Sequence, residues 1–393
     1  MKTIISIAID FLKNRESAHF SDIFLEVQTS LMSKWENQLP NLSTDKILTL
    51  KRGELYKLLS IDGNFVPLGD NYWTLRSDLN ALVFFFFFFL KVFDCKKKKK
   101  KYRKGKMQLV NTKEMLEKAL KNNYAIPHIN INNLEWTKAA LLAAQAKKSP
   151  LIIGTSERVL TYMGGLKTIY NLVTNLIDYF KITVPVALHL DHGTYLTCKE
   201  ALKNGYTSVM YDGSKEKFEL NLERTEEIVR LANKVNATVE AEVGQIGGEE
   251  DGVIGNGEIA NPENAKKITE TGITCLAAGI GNIHGIYPPD WKSLNFEILE
   301  KISKVTKIPL VLHGGSGIPK DQIQKAIKLG IAKINVNTEL QQANAAAISE
   351  FVLSGKVKQG KNFDPRKLLA PGTDAIQLLI EEKITEFGSA NQA

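Results

Sequence analysis

Val186-Ala187-Leu188-His189-Leu190-Asp191-His192-Gly193 is an apolar strand pattern that ends in a carboxylate, an imidazole and a glycine. Neighbouring side chains on a strand point to opposite faces, but at the frayed end of a strand both can turn toward one pocket. Neutral imidazole is the commonest protein ligand for metal ions, and a carboxylate beside a metal can transfer protons. Taken alone, this spacing is equally typical of a hydrogen-bonded core cluster, so both interpretations stay open at this point.

Two further histidines occur in the same setting, each after a short apolar run and directly before a glycine. They are His284, followed by Gly285, and His313, followed by Gly314. A fourth segment, residues 238–244, carries a carboxylate near its end. Three imidazoles and a carboxylate at the ends of separate strands suit an open catalytic zinc site, in which three protein ligands leave one position free. The sequence therefore favours a metal site over a core histidine cluster.

Residues 107–393 alternate strand-like and helical patterns. Helical stretches, such as residues 136–147 and 220–235, separate the apolar runs. Eight repeats of this kind predict an α/β fold, a (β/α)8 TIM barrel, whose active site lies at the carboxyl ends of the strands. The eight predicted strands end near Asn130, Thr155, His192, Asp212, Gly244, Gly281, His313 and Thr338.

Two loops at the end of this barrel have the composition of a phosphate site. The segment Gly314-Gly315-Ser316-Gly317 follows the seventh strand and offers backbone N–H groups and a hydroxyl. Asn335, Asn337 and Thr338 follow the eighth strand. Because barrels commonly bind phosphate in these two loops, the sequence predicts a phosphorylated substrate.

Residues 107 to about 388 resemble class II, metal-dependent fructose-1,6-bisphosphate aldolase. The resemblance is carried by several uncommon motifs in the order typical of that family. They are Asn132-Asn133-Leu134-Glu135-Trp136, His189-Leu190-Asp191-His192-Gly193, Glu242-Val243-Gly244-Gln245-Ile246-Gly247-Gly248-Glu249-Glu250-Asp251, Val311-Leu312-His313-Gly314-Gly315-Ser316-Gly317 and Asp364-Pro365-Arg366. His128 departs from the family, in which many members carry an aromatic residue at this position.

The resemblance implies a role for each candidate residue. Zn²⁺ would be held by His192, His284 and His313, with Glu242 as an alternate or supporting ligand. The residues implied to bind substrate fall into three groups. One phosphate of the substrate would lie against Gly285, Gly314, Ser316, Asn337 and Thr338. The triose would contact Asn335. The other end of the substrate would contact Asn130, Ser156 and Arg366, the last from a neighbouring subunit. The family further implies a homodimer or homotetramer, and a monovalent cation, Na⁺ or K⁺, as a second cofactor.

The implied reaction is reversible cleavage of fructose 1,6-bisphosphate to dihydroxyacetone phosphate and glyceraldehyde 3-phosphate in glycolysis. Cleavage leaves a carbanion beside a carbonyl, and no Schiff-base lysine is evident at a strand end, so zinc would stabilise the enediolate. Asp191 would take the proton from the hydroxyl on carbon four. Glu250, on the glycine-rich loop over residues 247–257, would move the proton at the triose carbon. Tagatose 1,6-bisphosphate, which differs in one hydroxyl configuration, remains an alternative substrate.

Residues 1–80 predict a small α+β domain that precedes the barrel. Apolar residues repeat at helical spacing over residues 4–12, 22–32 and 45–60, and a hairpin pattern follows over residues 65–75. Three helices and a wing describe a winged-helix module. The segments over residues 58–65 and 73–77 resemble the N-terminal domain of the delta subunit of bacterial RNA polymerase. That resemblance implies one of two roles. The unit is either a transcription accessory in contact with RNA polymerase or an interaction module without remaining activity.

Residues 81–106 form a low-complexity junction. Six phenylalanines at 84–89 and six lysines at 96–101 resemble neither neighbour. The apolar run is too short for a bilayer, which requires ~20 residues. The junction holds ten basic residues and one acidic residue, so it accounts for the formal net charge of +8. The charge therefore gives no argument for nucleic-acid binding by either folded part, and we interpret the junction as a read-through fusion before Met107.

The remaining features favour a cytoplasmic protein with no membrane partner. Three scattered cysteines give no disulfide framework and no paired spacing for a structural metal, as expected in a reducing compartment. The first ten residues include Asp10 and lack the sustained apolar core of a signal peptide.

Overall fold

The computed structural model of the chain describes residues 3–13, 15, 17–62, 64–69, 72–75, 109–250, 253–255 and 257–393. The junction predicted over residues 81–106, and Met107 after it, lie outside these residues. Contacts divide the chain into two compact units, Met1–Tyr102 and Arg103–Ala393. Among the helices described, none combines the length and the apolar character that crossing a bilayer requires.

The first unit packs three helices against a small antiparallel sheet. Thr3 starts the first helix with a capping box, in which its hydroxyl accepts from the backbone N–H of Ser6 at 3.1 Å. The sheet has three strands, and the last of them along the chain lies in the middle. The elements of this unit are α1 Ile4–Leu12, β1 Ala18–His19, α2 Phe20–Gln38, α3 Thr44–Ile61, β2 Phe65–Gly69 and β3 Tyr72–Leu75. The three predicted helices and the hairpin are therefore present, and α2 extends beyond the predicted residues 22–32.

The core of this unit is a separate apolar cluster. Ile7, Ile23, Val27 and Leu55 come from the three helices and are buried against Trp73 of the sheet. None of the described residues in this cluster belongs to the apolar clusters of the second unit. Each unit thus has its own core, as a domain requires.

The second unit is a closed barrel of eight parallel strands, and the predicted TIM barrel is confirmed. Strands that follow each other along the chain are neighbours in the barrel, and the last one pairs with the first. Every residue of the eight barrel strands except His192 is buried, as expected for strands covered on both faces. The barrel strands are β4 Ile126–Asn130, β5 Leu151–Thr155, β6 Val186–Gly193, β7 Ser208–Tyr211, β8 Thr238–Val243, β11 Cys275–Ala278, β13 Leu310–Leu312 and β14 Ile331–Val336.

Helices surround the barrel, and several of them bury one apolar stripe. In the helix Phe218–Lys234, for example, Thr225, Ile228, Val229 and Ala232 are buried, which is the i, i+3, i+4, i+7 spacing of an amphipathic helix. The helices of this unit are α4 Lys113–Asn122, α5 Leu134–Lys147, α6 Glu157–Met163, α7 Leu166–Tyr179, α8 Tyr195–Lys203, α9 Phe218–Lys234, α10 Pro262–Thr269, α11 Phe296–Thr306, α12 Lys320–Lys328, α13 Thr338–Leu353, α14 Pro365–Leu368 and α15 Ala370–Glu386.

The two ends of the barrel differ in chemistry. Met115 and Leu116 of α4 are buried against residues near the amino ends of the strands, such as Ile126, Ile152 and Ala187. This apolar plug closes the amino end. Polar and titratable side chains are therefore concentrated toward the carboxyl end, where barrel enzymes place their active sites.

A second, small sheet lies at the carboxyl end. It consists of β9 Gly247–Glu250, β10 Val253–Gly255 and β12 Ile283–His284, in the order β10-β9-β12. The sequence predicted only a glycine-rich loop over residues 247–257, and that prediction was incomplete because β9 pairs with β12 through backbone groups. A Cβ atom at Gly248 would lie 2.1 Å from the carbonyl oxygen of His284, so this close pairing requires glycine.

Candidate active site

Three imidazoles from three different strands converge at the carboxyl end of the barrel. His192 lies near the end of β6, His284 ends β12, and His313 directly follows β13. Nε2 of His192 lies 3.0 Å from Nδ1 of His313, and Nε2 of His284 lies 3.4 Å from the same atom. All three ring nitrogens lie within 4.8 Å of one another. The structure thus brings together the three histidines that the sequence singled out.

Carboxylates define which ring nitrogen of two of these histidines carries the proton. Nδ1 of His192 lies 2.9 Å from Oδ2 of Asp212, and Nε2 of His313 lies 2.9 Å from Oε1 of Glu240. An ionised carboxylate only accepts hydrogen bonds, so each of these nitrogens donates, and the other nitrogen of each neutral ring holds a lone pair. Two such lone pairs 3.0 Å apart repel each other unless a cation or a proton lies between them. The donor set therefore fits Zn²⁺, which takes imidazole ligands in open three-ligand sites.

The backbone of β6 turns two neighbouring side chains into this site. His192 has a φ of 46°, in the left-handed region that costs a non-glycine residue about 1–3 kcal/mol. The register of β6 against β7 also shifts between Leu190 and Gly193. A Cβ atom at Gly193 would lie 2.9 Å from the carbonyl oxygen of Met210. This irregular strand end places both Asp191 and His192 beside His313, which a regular strand would not allow.

Asp191 is fully buried and is held by two amides. Its Oδ2 accepts from Nδ2 of Asn130 at 2.9 Å, and its Oδ1 accepts from Nδ2 of Asn335 at 3.3 Å. Burial alone would raise the pKa of Asp191, but the surrounding imidazoles, His128 first and then His192, bring that pKa well below its ordinary value. The two amides thus orient a carboxylate that is in its ionised form, the form that can accept a proton.

Glu242 lies beside His192 in a different group. Its Oε2 lies 4.0 Å from Nδ1 of His192, and the potential ligand atoms of His192, Asp212 and Glu242 lie within 4.8 Å of one another. Its Oε1 accepts from the backbone N–H of Ile246 at 3.2 Å, whereas its buried Oε2 has no hydrogen-bond partner among the residues that the structure describes. Burial, and next the nearby Asp212, raise the pKa of Glu242 well above its ordinary value. Glu242 is therefore placed on the Nδ1 side of His192, and not in the group of three imidazoles.

A cavity of about 340 Å³ opens beside the imidazoles. Ser156, predicted to bind substrate, lines it together with His192 and His284. Two exposed cations, Arg158 and Lys215, also line the cavity, although the sequence analysis did not identify them. Positive side chains on the wall of a cleft favour an anionic substrate.

The predicted phosphate residues lie on connected backbone segments. Gly314 has a φ of 62°, and a Cβ atom there would lie 1.9 Å from the carbonyl oxygen of Ile283, so only glycine allows the two segments to approach. This places Gly314 against β12, which Gly285 follows directly. The hydroxyl of Ser316 accepts from the backbone N–H of Glu339 at 3.3 Å, in the first turn of α13. Helix N-termini of this kind bind phosphate readily. Asn337 and Thr338 occupy the N-cap and the first position of the same helix.

One predicted residue, Arg366, is not brought to the cavity of its own chain. The Arg366 side chain is 89% exposed, forms an ion pair with Asp364 at 2.6 Å, and does not line the cavity. A role in the site of a neighbouring subunit stays a prediction. Glu250 ends β9, where it pairs with Val253, but its side chain lies outside the described part of the structure.

Sequence reasoning missed three residues that support the site. Asp212 follows β7, and a carboxylate at a strand end was a usable signal. Glu240 lies two residues before Glu242 on β8, and alternate strand residues share a face. Lys333 is a single cation inside the apolar strand β14. It is buried, and its ammonium forms an ion pair with Glu240 at 2.6 Å.

Known proteins of similar sequence show to which family the chain belongs. The family described as "Fructose-bisphosphate aldolase class-II" matches residues 110–392. A fructose-bisphosphate aldolase of Mycoplasma pneumoniae is 54% identical over 72% of this chain and 100% of its own length. One from Streptococcus pyogenes is 53% identical over 73% of this chain and 100% of its own length.

Solved structures extend the likeness to the fold. The YdjI aldolase from Escherichia coli K12 is 32% identical, with a TM-score of 0.62 over 73% of this chain and 100% of its own. The fructose-bisphosphate aldolase from Campylobacter jejuni is 26% identical, with a TM-score of 0.63 over 72% of this chain and 97% of its own. By family match, relatives and barrel, the chain belongs to the class II fructose-bisphosphate aldolase family.

Proposed function

We propose that this aldolase cleaves fructose 1,6-bisphosphate reversibly into dihydroxyacetone phosphate and glyceraldehyde 3-phosphate, as a step of glycolysis. The observation that carries the proposal is the convergence of three imidazole nitrogens beside the buried carboxylate of Asp191, which shares the Asn335 amide with His313. The names of the relatives, which match over their whole length at 53–54% identity, support the same substrate.

The residues proposed to hold Zn²⁺ are His192 and His284, each through Nε2, and His313 through Nδ1. Bound zinc would act as a Lewis acid and polarise the oxygens of the substrate. Glu242 and Asp212 form a neighbouring group that could accept the ion in an alternate position. A monovalent cation, Na⁺ or K⁺, stays part of the proposal as a second cofactor.

The chain's own residues supply binding and proton transfer. Asp191 accepts the proton of the hydroxyl on carbon four during cleavage and returns it during condensation, while Asn130 and Asn335 keep its oxygens oriented. Glu250, on the β9–β10 hairpin, would transfer the proton at the triose carbon. One phosphate would bind at the start of α13 beside Ser316, and the other end of the substrate near Ser156.

Removal of the metal is expected to abolish the reaction. Full-length protein treated with excess chelator and then dialysed should lose aldol cleavage, and stoichiometric Zn²⁺ should restore it. The measurement is triose phosphate release in a coupled assay before and after zinc addition, with mock-dialysed protein as the control. Cleavage that survives with less than a tenth of an equivalent of metal would contradict the zinc assignment.

Tagatose 1,6-bisphosphate is the second candidate substrate. Nothing in the described pocket distinguishes the two configurations of one hydroxyl. A comparison of kcat/KM for the two sugars on the same preparation decides between them, and a higher value for tagatose 1,6-bisphosphate would overturn the preference for fructose.

For the N-terminal unit we propose a winged-helix module, residues 1–80, that is joined by residues 81–106 to the aldolase barrel over 107–393. The element order, helix, short strand, two helices and a hairpin, supports this assignment. Its likeness to the delta subunit of bacterial RNA polymerase leads us to propose a contact with core polymerase. A pull-down of core polymerase by residues 1–80 tests the contact, and an absence of binding above a barrel-only control would reject it. The barrel itself would act as a homodimer or homotetramer.

The barrel is expected to work without the N-terminal unit. Residues 107–393 expressed alone should be folded and retain kcat and KM, because all the proposed site residues lie within them and the two apolar cores share no described residue. Circular dichroism and steady-state kinetics on the truncated and full-length proteins make the comparison. An insoluble or inactive truncation would show that the first unit contributes to the barrel.

A further inference from the structure

A chain of buried polar contacts runs from β14 through β8 to one proposed zinc ligand. The ammonium of Lys333 lies 2.6 Å from Oε2 of Glu240, and Oε1 of Glu240 lies 2.9 Å from Nε2 of His313. All three side chains are at most 1% exposed. Both oxygens of Glu240 are therefore engaged, and each faces a fixed partner.

The surroundings leave little freedom for other partners. Nε2 of His189 lies 3.5 Å from the Lys333 ammonium, and Sγ of Cys275 lies 3.5 Å from Oε2 of Glu240. Nδ1 of His189 lies 2.8 Å from the hydroxyl of Ser208. A buried ion pair is often no more stabilising than apolar residues of the same volume, so stability alone is a weak explanation for Lys333 and Glu240.

We propose that Lys333 and Glu240 form a positioning pair that fixes the tautomer of His313. The carboxylate requires a proton on Nε2 of His313, which leaves the lone pair on Nδ1, the atom that faces His192 and His284. Lys333 prevents the carboxylate from rotating or moving away. This inference rests on the proposed zinc site, and it assigns a role to two residues that do not themselves touch the metal or the substrate.

The substitution Glu240→Gln tests this orientation because it keeps the shape of the side chain. The Lys333 ammonium attracts the amide oxygen, so the amide NH2 turns toward Nε2 of His313. That nitrogen must then accept, and the proton moves to Nδ1, where it blocks the ligand position. We expect zinc affinity to fall 10–100-fold, the range typical of residues that support a metal ligand.

Two double variants separate positioning from stability. Glu240→Gln with Lys333→Met frees the amide to turn its oxygen back to His313, whereas Glu240→Met with Lys333→Met offers no acceptor at all. Both remove the two buried charges, so we expect similar unfolding temperatures for the two metal-free proteins. The first should bind zinc within a few-fold of wild type, and the second 10–100-fold more weakly.

Zinc affinity is measured on the full-length protein by competition with a chromophoric chelator, and unfolding temperatures are measured on metal-free samples. Glu227→Gln, in the part-exposed Lys199–Glu227 ion pair on α8 and α9, is the matched control and should leave zinc affinity unchanged. Equal zinc affinity in the two double variants, or wild-type affinity in folded Glu240→Gln, would overturn the inference. Failure of the wild-type protein to bind zinc would instead reject the proposed metal site.

Discussion

Asp191→Asn should lower the turnover number by about 10²–10⁴-fold, the usual contribution of a positioned acid–base group. The carboxamide keeps the size of the side chain but cannot accept the substrate proton. It would also place an NH2 group against an amide of Asn130 or Asn335, both of which now donate to the carboxylate. Zinc should remain bound, because the three converging ring nitrogens belong to other residues.

Steady-state cleavage and the zinc content of the purified variant are measured together. Asp321→Asn, at an exposed position in the first turn of α12, is the matched control and should behave as wild type. Exchange of the triose-phosphate proton with solvent should survive in Asp191→Asn, because Glu250 and the histidines are unchanged. A variant that is purified without zinc would show that Asp191 acts as a ligand and not as a proton acceptor.

His192→Ala should lower both zinc affinity and cleavage by more than ~10²-fold, beyond the 10–100-fold typical of a supporting residue. The change removes Nε2, which lies 3.0 Å from Nδ1 of His313, and leaves only two imidazoles in the group. It also removes the partner of Asp212. Residues 191 and 192 are adjacent in sequence, so different losses in the two variants would separate proton transfer from metal binding.

Zinc titration and cleavage assays on His192→Ala give the result, and His19→Ala in the N-terminal unit is the control for loss of an imidazole. His19 lies at the start of α2, and its Nδ1 lies 2.7 Å from the hydroxyl of Ser21. It belongs to the other unit, so its loss should leave zinc binding intact. Full zinc affinity in His192→Ala would remove this residue from the proposed ligand set. Glu242 would then be the next candidate ligand.

The sequence by itself determined the barrel and singled out the three histidines that converge in it. Eight apolar runs, each followed by a helical pattern, allow few other folds, and a closed parallel barrel gathers all the strand ends at one rim. Residues at those ends, such as Asp191, His284 and His313, were therefore identifiable before any distance was known. The glycine after each histidine was a further local signal, and at Gly314 the structure supplies the reason, since a side chain would collide with Ile283.

The tertiary structure alone decided how these groups are oriented. Glu240 contacts His313 across 73 residues of sequence and Lys333 across 93, and no local pattern encodes such pairings. Likewise, the left-handed backbone of His192 and the two amides on Asp191 result from packing between strands. Periodicity and residue type determine where a strand ends, whereas the tautomer of a buried imidazole and the charge of a buried carboxylate depend on neighbours that only the closed barrel brings within hydrogen-bond distance.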